Sequence, residues 1–282
     1  EADHAAVLTF RGVIGPAVVD YIERGLKTAD ENNVNLVVLQ MDTPGGLDLS
    51  MRSIVKAILS SPIPVVSYVA PEGSRAASAG TYILYASHIA AMSPTTNLGA
   101  ATPVQIGGLP GAPDRSKKPS EDNGEDGPDT NAHSSMERKM INDASAYIRS
   151  LAEKHGRNAE WAVKAVRQAV SLTASEALEL HVIDIVASDL TDLFRQVDGR
   201  EAMLDNGVHR ISAKDPVVIH IEQTWRTKIL LIIGDPNIAY ILILLGVYGL
   251  IYEFANPGFF LPGVAGGISL LLALYAFQIL PI

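Results

Sequence analysis

The stretch VNLVVLQMDTPGGLDLSMRSIVKAILSSPIPVVSYVA, residues Val34 to Ala70, contains the alternation that decides the fold. Its runs VNLVVLQMDT and IPVVSYVA are typical of buried strands. Between them, LDLSMRSIVKAILSS has the apolar spacing of an amphipathic helix that stops before Pro62. A strand, a helix and a second strand in this order predict parallel pairing with a right-handed crossover.

The same alternation continues on both sides of this unit. AAVLTF before it and HIAAMS after it are predicted strands, and PAVVDYIERGLKTADENN is a predicted helix that begins at Pro16. Further along, helical spacing occurs in AEWAVKAVRQAV, TASEALEL and LTDLFRQVDG, and a short strand is predicted for VIDIVA. The pattern of a capping box is formed by Thr173 and Glu176. We therefore expect an α/β domain over residues 1–200, with a parallel sheet flanked by helices.

One segment interrupts the pattern. GGLPGAPDRSKKPSEDNGEDGPDTNAHSS is rich in Gly, Pro, Ser and Asp and has almost no large apolar residue after Leu109, which predicts a mobile surface loop over residues 101–135. Ser134 and Glu137 have capping-box spacing and predict that the next helix begins there. The loop either gates a site or is a tolerated insertion, and the sequence leaves both interpretations open.

Composition excludes several classes of protein. The chain of 282 residues has a net charge of −9, which argues against nucleic-acid binding because that function needs clustered basic residues. It has no cysteine, which excludes disulfides and thiolate metal sites, and its seven histidines lack metal-ligand spacing. We expect no metal and no cofactor. The first residue, Glu1, is not a methionine, which suggests a cleaved signal peptide or a trimmed chain.

The C-terminal part, residues 229–282, is almost entirely apolar, with Asp235 and Glu253 as its charged residues. Two stretches, 237–252 and 259–280, are long enough to cross a bilayer and predict a transmembrane helical hairpin. The alternative is a pair of buried core helices. Candidate interfacial anchors and close-packing glycines are Tyr240, Tyr248, Tyr252, Gly263, Gly266 and Gly267.

A polar connector is predicted between the domain and this hairpin, over residues 201–228. It ends in Trp225, Arg226 and Lys228, which would lie at the membrane edge. The two basic residues favour a cytoplasmic side by the positive-inside rule, whereas a removed signal peptide favours the opposite side. We expect a multi-pass protein of the cell membrane with an extracytoplasmic domain.

Two features lie at the carboxyl ends of predicted strands, where parallel α/β sheets place their sites. The first is DTPGG, Asp42 to Gly46, whose glycines can turn sharply and expose backbone N–H groups to a ligand. The second is Ser78 in PEGSRAASAGTYILYASH, in the first turn of a predicted helix, where free N–H donors suit an oxyanion. Each also has a structural interpretation, as a strand-to-helix turn and as a small packing residue. Together they are consistent with an acyl-transfer site.

A serine nucleophile needs a base. His88 and His133 have no obvious carboxylate to orient them, and His88 is more typical of a satisfied structural residue. The alternative is a lysine whose pKa is lowered by desolvation. Lys139 is the candidate, on the shoulder of an apolar helical stripe, but spacing alone does not favour it over Lys154 or Lys164.

Four stretches of the sequence resemble, in this order, the NfeD family of membrane-bound serine proteases. They are MDTPGGL, SRAASAGTYILYASHIAAMSPTTNLGAATPV, ERKMINDASAYIRSLAEKHGRN and SLTASEALELHVIDIVASDLTDLFRQVDGR. That family belongs with signal peptide peptidase A and the Clp proteolytic subunit in the ClpP/crotonase fold. The resemblance covers nearly the whole predicted domain. Because long NfeD proteins continue into further membrane helices and a small OB-like β-barrel, we expect this chain to be a shortened form.

The resemblance implies roles for residues at matching positions. The serine of A-S-A-G would be the nucleophile and a lysine opening the later helix the base, which are Ser78 and Lys139 here. By resemblance to the Clp subunit, the amides of Gly46 and Ala79 would bind the oxyanion. An extended apolar substrate would pair beside them, at Gly45, Leu47, Thr96, Asn97 and Leu98.

The expected function is that of a membrane-anchored serine endopeptidase with a Ser–Lys dyad. The resemblance implies stomatin- or prohibitin-like (SPFH) membrane proteins as substrates or partners, association with the lipid bilayer, and a homo-oligomer. Two alternatives stay open: a crotonase-type enzyme acting on acyl thioesters, and a non-catalytic scaffold or cap for a stomatin-like oligomer.

Overall fold

The structure is a computed structural model that describes residues 3–103, 128–233, 236–255 and 260–279. Residues 104–127 of the loop predicted over 101–135 lie outside the described residues, whereas residues 128–135 are helical, so the prediction is wrong for them. In chain order the strands are β1 His4–Arg11, β2 Leu36–Asp42, β3 Val65–Val69, β4 Arg75–Ala77, β5 Ile89–Met92, β6 Asn97–Gly99, β7 Ser171–Thr173, β8 Ile185–Val186, β9 Glu201–Leu204, β10 Gly207–Arg210 and β11 Val217–Ile221. The helices are α1 Pro16–Glu31, α2 Asp48–Leu59, α3 Ala79–Ala86, α4 Pro128–Lys154, α5 Ala159–Arg167, α6 Ala174–Glu179, α7 Leu190–Val197, α8 Trp225–Ile233, α9 Pro236–Ala255 and α10 Leu261–Ile279.

A parallel sheet with the strand order β11-β1-β2-β3-β5-β8 forms the centre of the domain, which confirms the predicted α/β fold. Side chains alternate along β2, so Val37, Leu39 and Met41 pack into one apolar core and Leu36 and Val38 into another. The first core contains side chains of α1, α2 and α3, and the second contains those of α7. Burial on both faces explains why these strands are apolar throughout.

Residues 201–228 differ from the polar connector that the sequence predicts. Strands β9 and β10 form an antiparallel hairpin, and β11 pairs with β1 in the main sheet, with Val217 opposite His4. The folded domain therefore extends past residue 200 to Ile221. The difference arises because β11 is short and its partner strand β1 lies near the start of the sequence, so local periodicity does not reveal the pairing.

Helix α4 begins at Pro128, before the start predicted at Ser134, which therefore lies inside the helix and is not its N-cap. Proline is tolerated in the first turn of a helix because its missing N–H would have no intrahelical partner there. The other predicted capping box is confirmed. The Thr173 hydroxyl accepts a hydrogen bond from the Glu176 amide, and the Glu176 carboxylate accepts one from the Thr173 amide.

Helix α9 contains the segment Ile238–Ala255, which is long and apolar enough to cross a membrane and is only 11% buried. A core helix would be mostly buried, so the alternative of buried core helices does not hold for α9. The apolar stretch of α10, Leu261–Ala276, is shorter than the second span predicted over 259–280, parts of which lie outside the described residues. Large apolar side chains exposed on the two helices include Tyr248, Phe254, Leu271 and Leu274.

Close backbone packing joins α9 and α10. A Cβ atom added at Gly266 would lie 2.8 Å from the Gly246 carbonyl oxygen, so a side chain there would force the two backbones apart. Gly263 also packs closely, against the side chain of Glu253. The predicted packing role is confirmed for these two glycines but not for Gly267, where an added Cβ would meet nothing within 4 Å.

Adjacent glycines of α10 offer a matched test of this packing. Gly266→Ala is expected to destabilise the helical hairpin by roughly 1–3 kcal/mol, because the new methyl group overlaps backbone atoms of α9. Gly267→Ala is expected to be neutral or slightly stabilising, because alanine favours helix and the space is open. The thermal midpoint of the detergent-solubilised chain measures both, and equal midpoints for the two variants would contradict the packing described.

Candidate active site

Ser78 follows β4 and is the N-cap residue of α3, with φ 51° and ψ −118°. A positive φ is unusual for a residue other than glycine and costs about 1–3 kcal/mol, so surrounding contacts must hold it. The Ser78 amide donates to the Gly99 carbonyl over 3.0 Å, and the Ser78 carbonyl accepts from the Thr81 amide over 2.9 Å. The half-buried Ser78 hydroxyl itself makes no hydrogen bond to any described residue. It is therefore free to react.

The DTPGG turn lies directly against this serine. Thr43 pairs with Ala76 of β4 in an isolated parallel bridge, and the Ala77 amide donates to the Thr43 carbonyl over 3.1 Å. A Cβ atom added at Gly45 would lie 2.6 Å from Ser78 Cβ and 3.1 Å from Ser78 Oγ. With φ at 115° as well, the position requires glycine. The two sequence features that were expected to form one site are thus adjacent.

Backbone amides near Ser78 differ in whether they already donate a hydrogen bond within the protein. The Gly45 amide donates to Thr43 Oγ1 over 3.0 Å. Across the part of the chain that the structure describes, the amides of Gly46 and Ala79, the two predicted oxyanion donors, donate to no acceptor. Ala79 is the first residue of α3, where the helix dipole adds partial positive charge. These amides are therefore available to a ligand that carries negative charge.

Lys139 is not in hydrogen-bond contact with Ser78. Its side chain is exposed and forms no hydrogen bond or ion pair with the described residues. Because α4 begins at Pro128, Lys139 lies about three turns into the helix and does not open it as expected. Of the other two lysines considered, Lys154 pairs with Asp205 over 3.6 Å, and Lys164 is exposed on α5.

The course of α4 nevertheless relates Lys139 to Ser78. The rings of Tyr82 in α3 and Tyr147 in α4 stack with centroids 6.1 Å apart. Just after α4 ends, the His155 side chain contacts the carbonyl of Ala86, the last residue of α3, over 3.0 Å. The two helices therefore run in the same direction. Ser78 lies about one turn before Tyr82 and Lys139 about two turns before Tyr147, both toward the N-terminal ends.

A contact that the sequence did not indicate holds α4 against α2. The Arg52 guanidinium donates to Asp48 over 2.8 Å and to Asp143 over 2.5 Å, and it lies 4.4 Å from the centre of the Tyr147 ring. Asp48 opens α2 directly after the turn that contains Gly46. Arg52 thus links the helix that follows the DTPGG turn to the helix that contains Lys139. Arginine and aspartate are common on helix surfaces, so the spacing of these residues carries no signal.

The residues predicted to bind substrate are only partly suited to that role. Gly45 is buried against Ser78, and Leu47 is half-buried beside it. Thr96 is buried, with its hydroxyl donating to the Ser93 carbonyl. Asn97 and Leu98 belong to β6, which lies between β4 and β7, so both of its hydrogen-bonding edges are occupied. The expected pairing of a peptide with β6 is therefore corrected.

The C-terminal end of α3 is held by a buried polar cluster. Arg157 donates to the Tyr85 carbonyl over 2.9 Å and to Asp184 over 2.7 Å. His88 Nδ1 accepts from the Val65 amide over 3.1 Å, which confirms His88 as a satisfied structural residue. Burial, together with the charge of Arg157, lowers the pKa of His88 to about 4 and that of His155 to about 3. No group of three or more metal-ligating side chains occurs among the described residues.

The fold and the apolar helices define the class of this chain, an α/β domain attached to a membrane region. Residues 7–206 match the family model described as the NfeD1b N-terminal domain, and residues 237–282 match that of the NfeD integral membrane domain. The chain therefore belongs to the NfeD family and is a membrane protein.

Relatives and solved structures agree with this assignment. The chain is 34% identical over 277 residues to the membrane-bound protease PH1510 of Pyrococcus horikoshii, covering 96% of this chain and 57% of that protein. It is 27% identical over 272 residues to the membrane protein NfeD1b of Bacillus subtilis (strain 168), covering 92% and 52%. The chain thus spans a little over half the length of these curated relatives.

Solved structures of the 1510-N membrane-bound stomatin-specific protease share the fold. A serine-to-alanine mutant superposes with a TM-score of 0.69 at 30% identity, covering 79% of this chain and 100% of that one. A lysine-to-alanine mutant in complex with a substrate peptide also gives 0.69, at 31% identity, covering 81% and 96%.

Two glycines with positive φ provide a test of the contact between the turn and Ser78. Gly45→Ala is expected to lower the rate of fluorophosphonate labelling of Ser78 by at least about 10-fold, because the added methyl group would displace Ser78 (~1.4 kcal/mol per decade). Gly73→Ala is the matched control, since Gly73 has φ 81° but open space around it. An equal loss in both variants would mean that backbone strain, and not contact with Ser78, is responsible.

The buried His88 and the half-buried His155 predict how stability depends on pH. Their folded-state pKa values lie below the ordinary 6.5, so protonation favours unfolding. Their contribution to stability is full above about pH 6.5 and is lost progressively as the pH falls toward 4 and then 3, at about 1.4 kcal/mol for each group and each pH unit. Denaturant unfolding of the detergent-solubilised chain should show a weaker pH dependence for His155→Gln, but not for the exposed control His220→Gln.

Proposed function

We propose that this chain is a membrane-anchored serine endopeptidase in which Ser78 is the nucleophile and Lys139 the general base. The observation that carries the proposal is the strained turn at Ser78. Its free hydroxyl stands against Gly45, and the amides of the next residue after each, Gly46 and Ala79, donate to no described acceptor. A reactive hydroxyl next to preorganised N–H donors is the arrangement that acyl transfer requires.

The proposed reaction uses these groups in sequence. Uncharged Lys139 takes the proton of Ser78 as Oγ attacks the substrate carbonyl carbon, and the carbonyl oxygen becomes an oxyanion held by the amides of Gly46 and Ala79. Lys139 then passes the proton to the leaving amine. Water completes the cycle by hydrolysing the acyl-enzyme.

For this transfer, Lys139 Nζ must approach Ser78 Oγ to about 3 Å, closer than in the structure described here. Catalytic hydrogen bonds in substrate-free proteins are often long and tighten when substrate binds. The parallel course of α3 and α4 supports the assignment, because it directs the N-terminal parts of both helices to the same end of the domain.

The comparisons support both the chemistry and the substrate class. The two solved neighbours carry mutations of a serine and of a lysine, the pair of residue types proposed here, and their protein is named stomatin-specific. We infer that this chain acts on stomatin-like (SPFH) membrane proteins. These proteins are either substrates, whose apolar segments it cleaves, or partners with which it assembles. We further propose a multi-pass homo-oligomer with the α/β domain on the extracytoplasmic side.

One observation favours a second candidate function. The exposed Lys139 does not touch Ser78, as would be the case in a non-catalytic scaffold or cap for a stomatin-like oligomer. Such a protein would bind its partner without acylation of Ser78. Reactivity of Ser78 therefore separates the two proposals.

Cleavage of a stomatin-like C-terminal peptide tests the dyad. Ser78→Ala and Lys139→Ala are each expected to lower kcat/KM by at least about 10³-fold, because each removes a member of one reacting unit. Lys154→Ala, a second exposed lysine of α4, is the matched control and should retain activity. Full activity in Lys139→Ala would assign the base to another residue, and tight peptide binding without cleavage or labelling by the wild type would favour the scaffold.

A further inference from the structure

An acidic residue lies one helical turn after the proposed base. Asp143 and Lys139 are four residues apart on α4, a spacing at which side chains on a helix surface contact each other. A carboxylate in contact with an amine favours the charged ammonium form, which cannot accept a proton. A free Asp143 would therefore oppose the role proposed for Lys139.

The structure shows Asp143 engaged elsewhere. Its Oδ2 accepts a hydrogen bond of 2.5 Å from Arg52, whose Nε also donates to Asp48. The guanidinium is fixed from a third direction by the ring of Tyr147, 4.4 Å from its centre. Arg52 comes from α2, so the Asp143 carboxylate is directed across the helix interface and not back along α4.

We propose that Arg52 is a positioning residue for this site: by binding Asp143, it prevents that carboxylate from pairing with Lys139 and so keeps the amine able to accept the Ser78 proton. The inference rests on the proposed function. It gives a role to an ion pair that would otherwise contribute little, since an exposed ion pair usually changes the folding equilibrium constant by less than about tenfold.

Other charged groups near this turn of α4 do not share the position of Asp143, a carboxylate one helical turn from Lys139. Asp48 is bound by Arg52 itself. On α5, Arg167 carries a positive charge and donates to the Asn142 side chain over 2.6 Å, so it does not provide a carboxylate for Lys139. Helix α3 contributes Tyr82 and no charged side chain. Glu137 and Arg138 are the charged residues on the preceding side of Lys139, and neither has the four-residue spacing of Asp143.

The test is the pH dependence of kcat/KM for peptide cleavage and of fluorophosphonate labelling of Ser78. Arg52→Met keeps an unbranched apolar side chain beside Tyr147 but removes the charge. It is expected to move the acid limb of both profiles to higher pH by a few tenths to about one unit, with the high-pH plateau nearly unchanged. The double variant Arg52→Met with Asp143→Asn should return the limb to its wild-type position.

Further variants control this experiment. Arg195→Met removes an exposed arginine that pairs with Asp192 on α7, and it should leave both profiles unchanged. Arg52→Lys retains a cation near Asp143, so its acid limb should move less than that of Arg52→Met. If Arg52→Met folds poorly, Arg52→Gln replaces it: its acid limb should move to higher pH, and Asp143→Asn in the same background should return the limb to its wild-type position.

Three outcomes would overturn the inference. One is a uniform loss of activity in Arg52→Met with the acid limb unmoved, which would make Arg52 purely structural. Another is a shift that persists in the double variant, which would show that Asp143 does not transmit the effect. The third is a wild type that neither cleaves nor labels, which overturns the proposed function and this inference with it. The first two leave the proposed function intact.

Discussion

The contact between Gly45 and Ser78 is the constraint on which the candidate site depends. Two loops from different strands meet there at a distance that leaves no room for a Cβ atom. The bridge between Thr43 and Ala76 brings the loops together, and the bond from the Ser78 amide to the Gly99 carbonyl holds the strained serine in place. Strain at a functional residue persists only where several neighbouring contacts fix the backbone, as they do here.

Helix α3 connects this site to the interior of the domain. Its first residue offers a free amide beside Ser78, and its last turn is held by Arg157, whose side chain is 2% exposed. A cation at the C-terminal end of a helix stabilises it through the helix dipole, and Asp184 compensates the buried charge. Removing one partner of this pair would leave an uncompensated charge in the core. The geometry at Ser78 is thus tied to a polar cluster at the opposite end of the same helix.

The membrane region is joined to the domain by more than a connecting chain. Helix α8 packs on α1, where the Arg24 guanidinium donates to the buried Thr227 hydroxyl over 2.9 Å. Beyond it, α9 and α10 pack through Gly246 and Gly266, while their large side chains face outward. Close approach of small residues is how apolar helices associate where the hydrophobic effect between them is weak. The anchor is therefore a packed unit attached to the catalytic domain proposed here.

Local sequence patterns were sufficient for much of this description. Strand and helix periods repeat within a few residues, so β1, β2, β3 and the helices between them could be predicted, as could the turn at Gly45 and the capping box at Thr173. Resemblance to a family then supplied roles for Ser78 and Lys139 that spacing alone left open. The prediction was weakest for the start of α4 and for residues 201–228.

Tertiary structure decided what depends on residues far apart in the chain. The pairing of His4 with Val217, the occupied edges of β6 and the link from Arg52 to Asp143 each join segments whose sequences carry no sign of one another. Short strands and surface ion pairs have weak local signatures, because their stability comes from the partner and not from their own residues. The sequence by itself thus determined the α/β alternation and the presence of a serine at a strand-to-helix turn. Only the fold determined which glycine touches that serine and which arginine holds the helix of the proposed base.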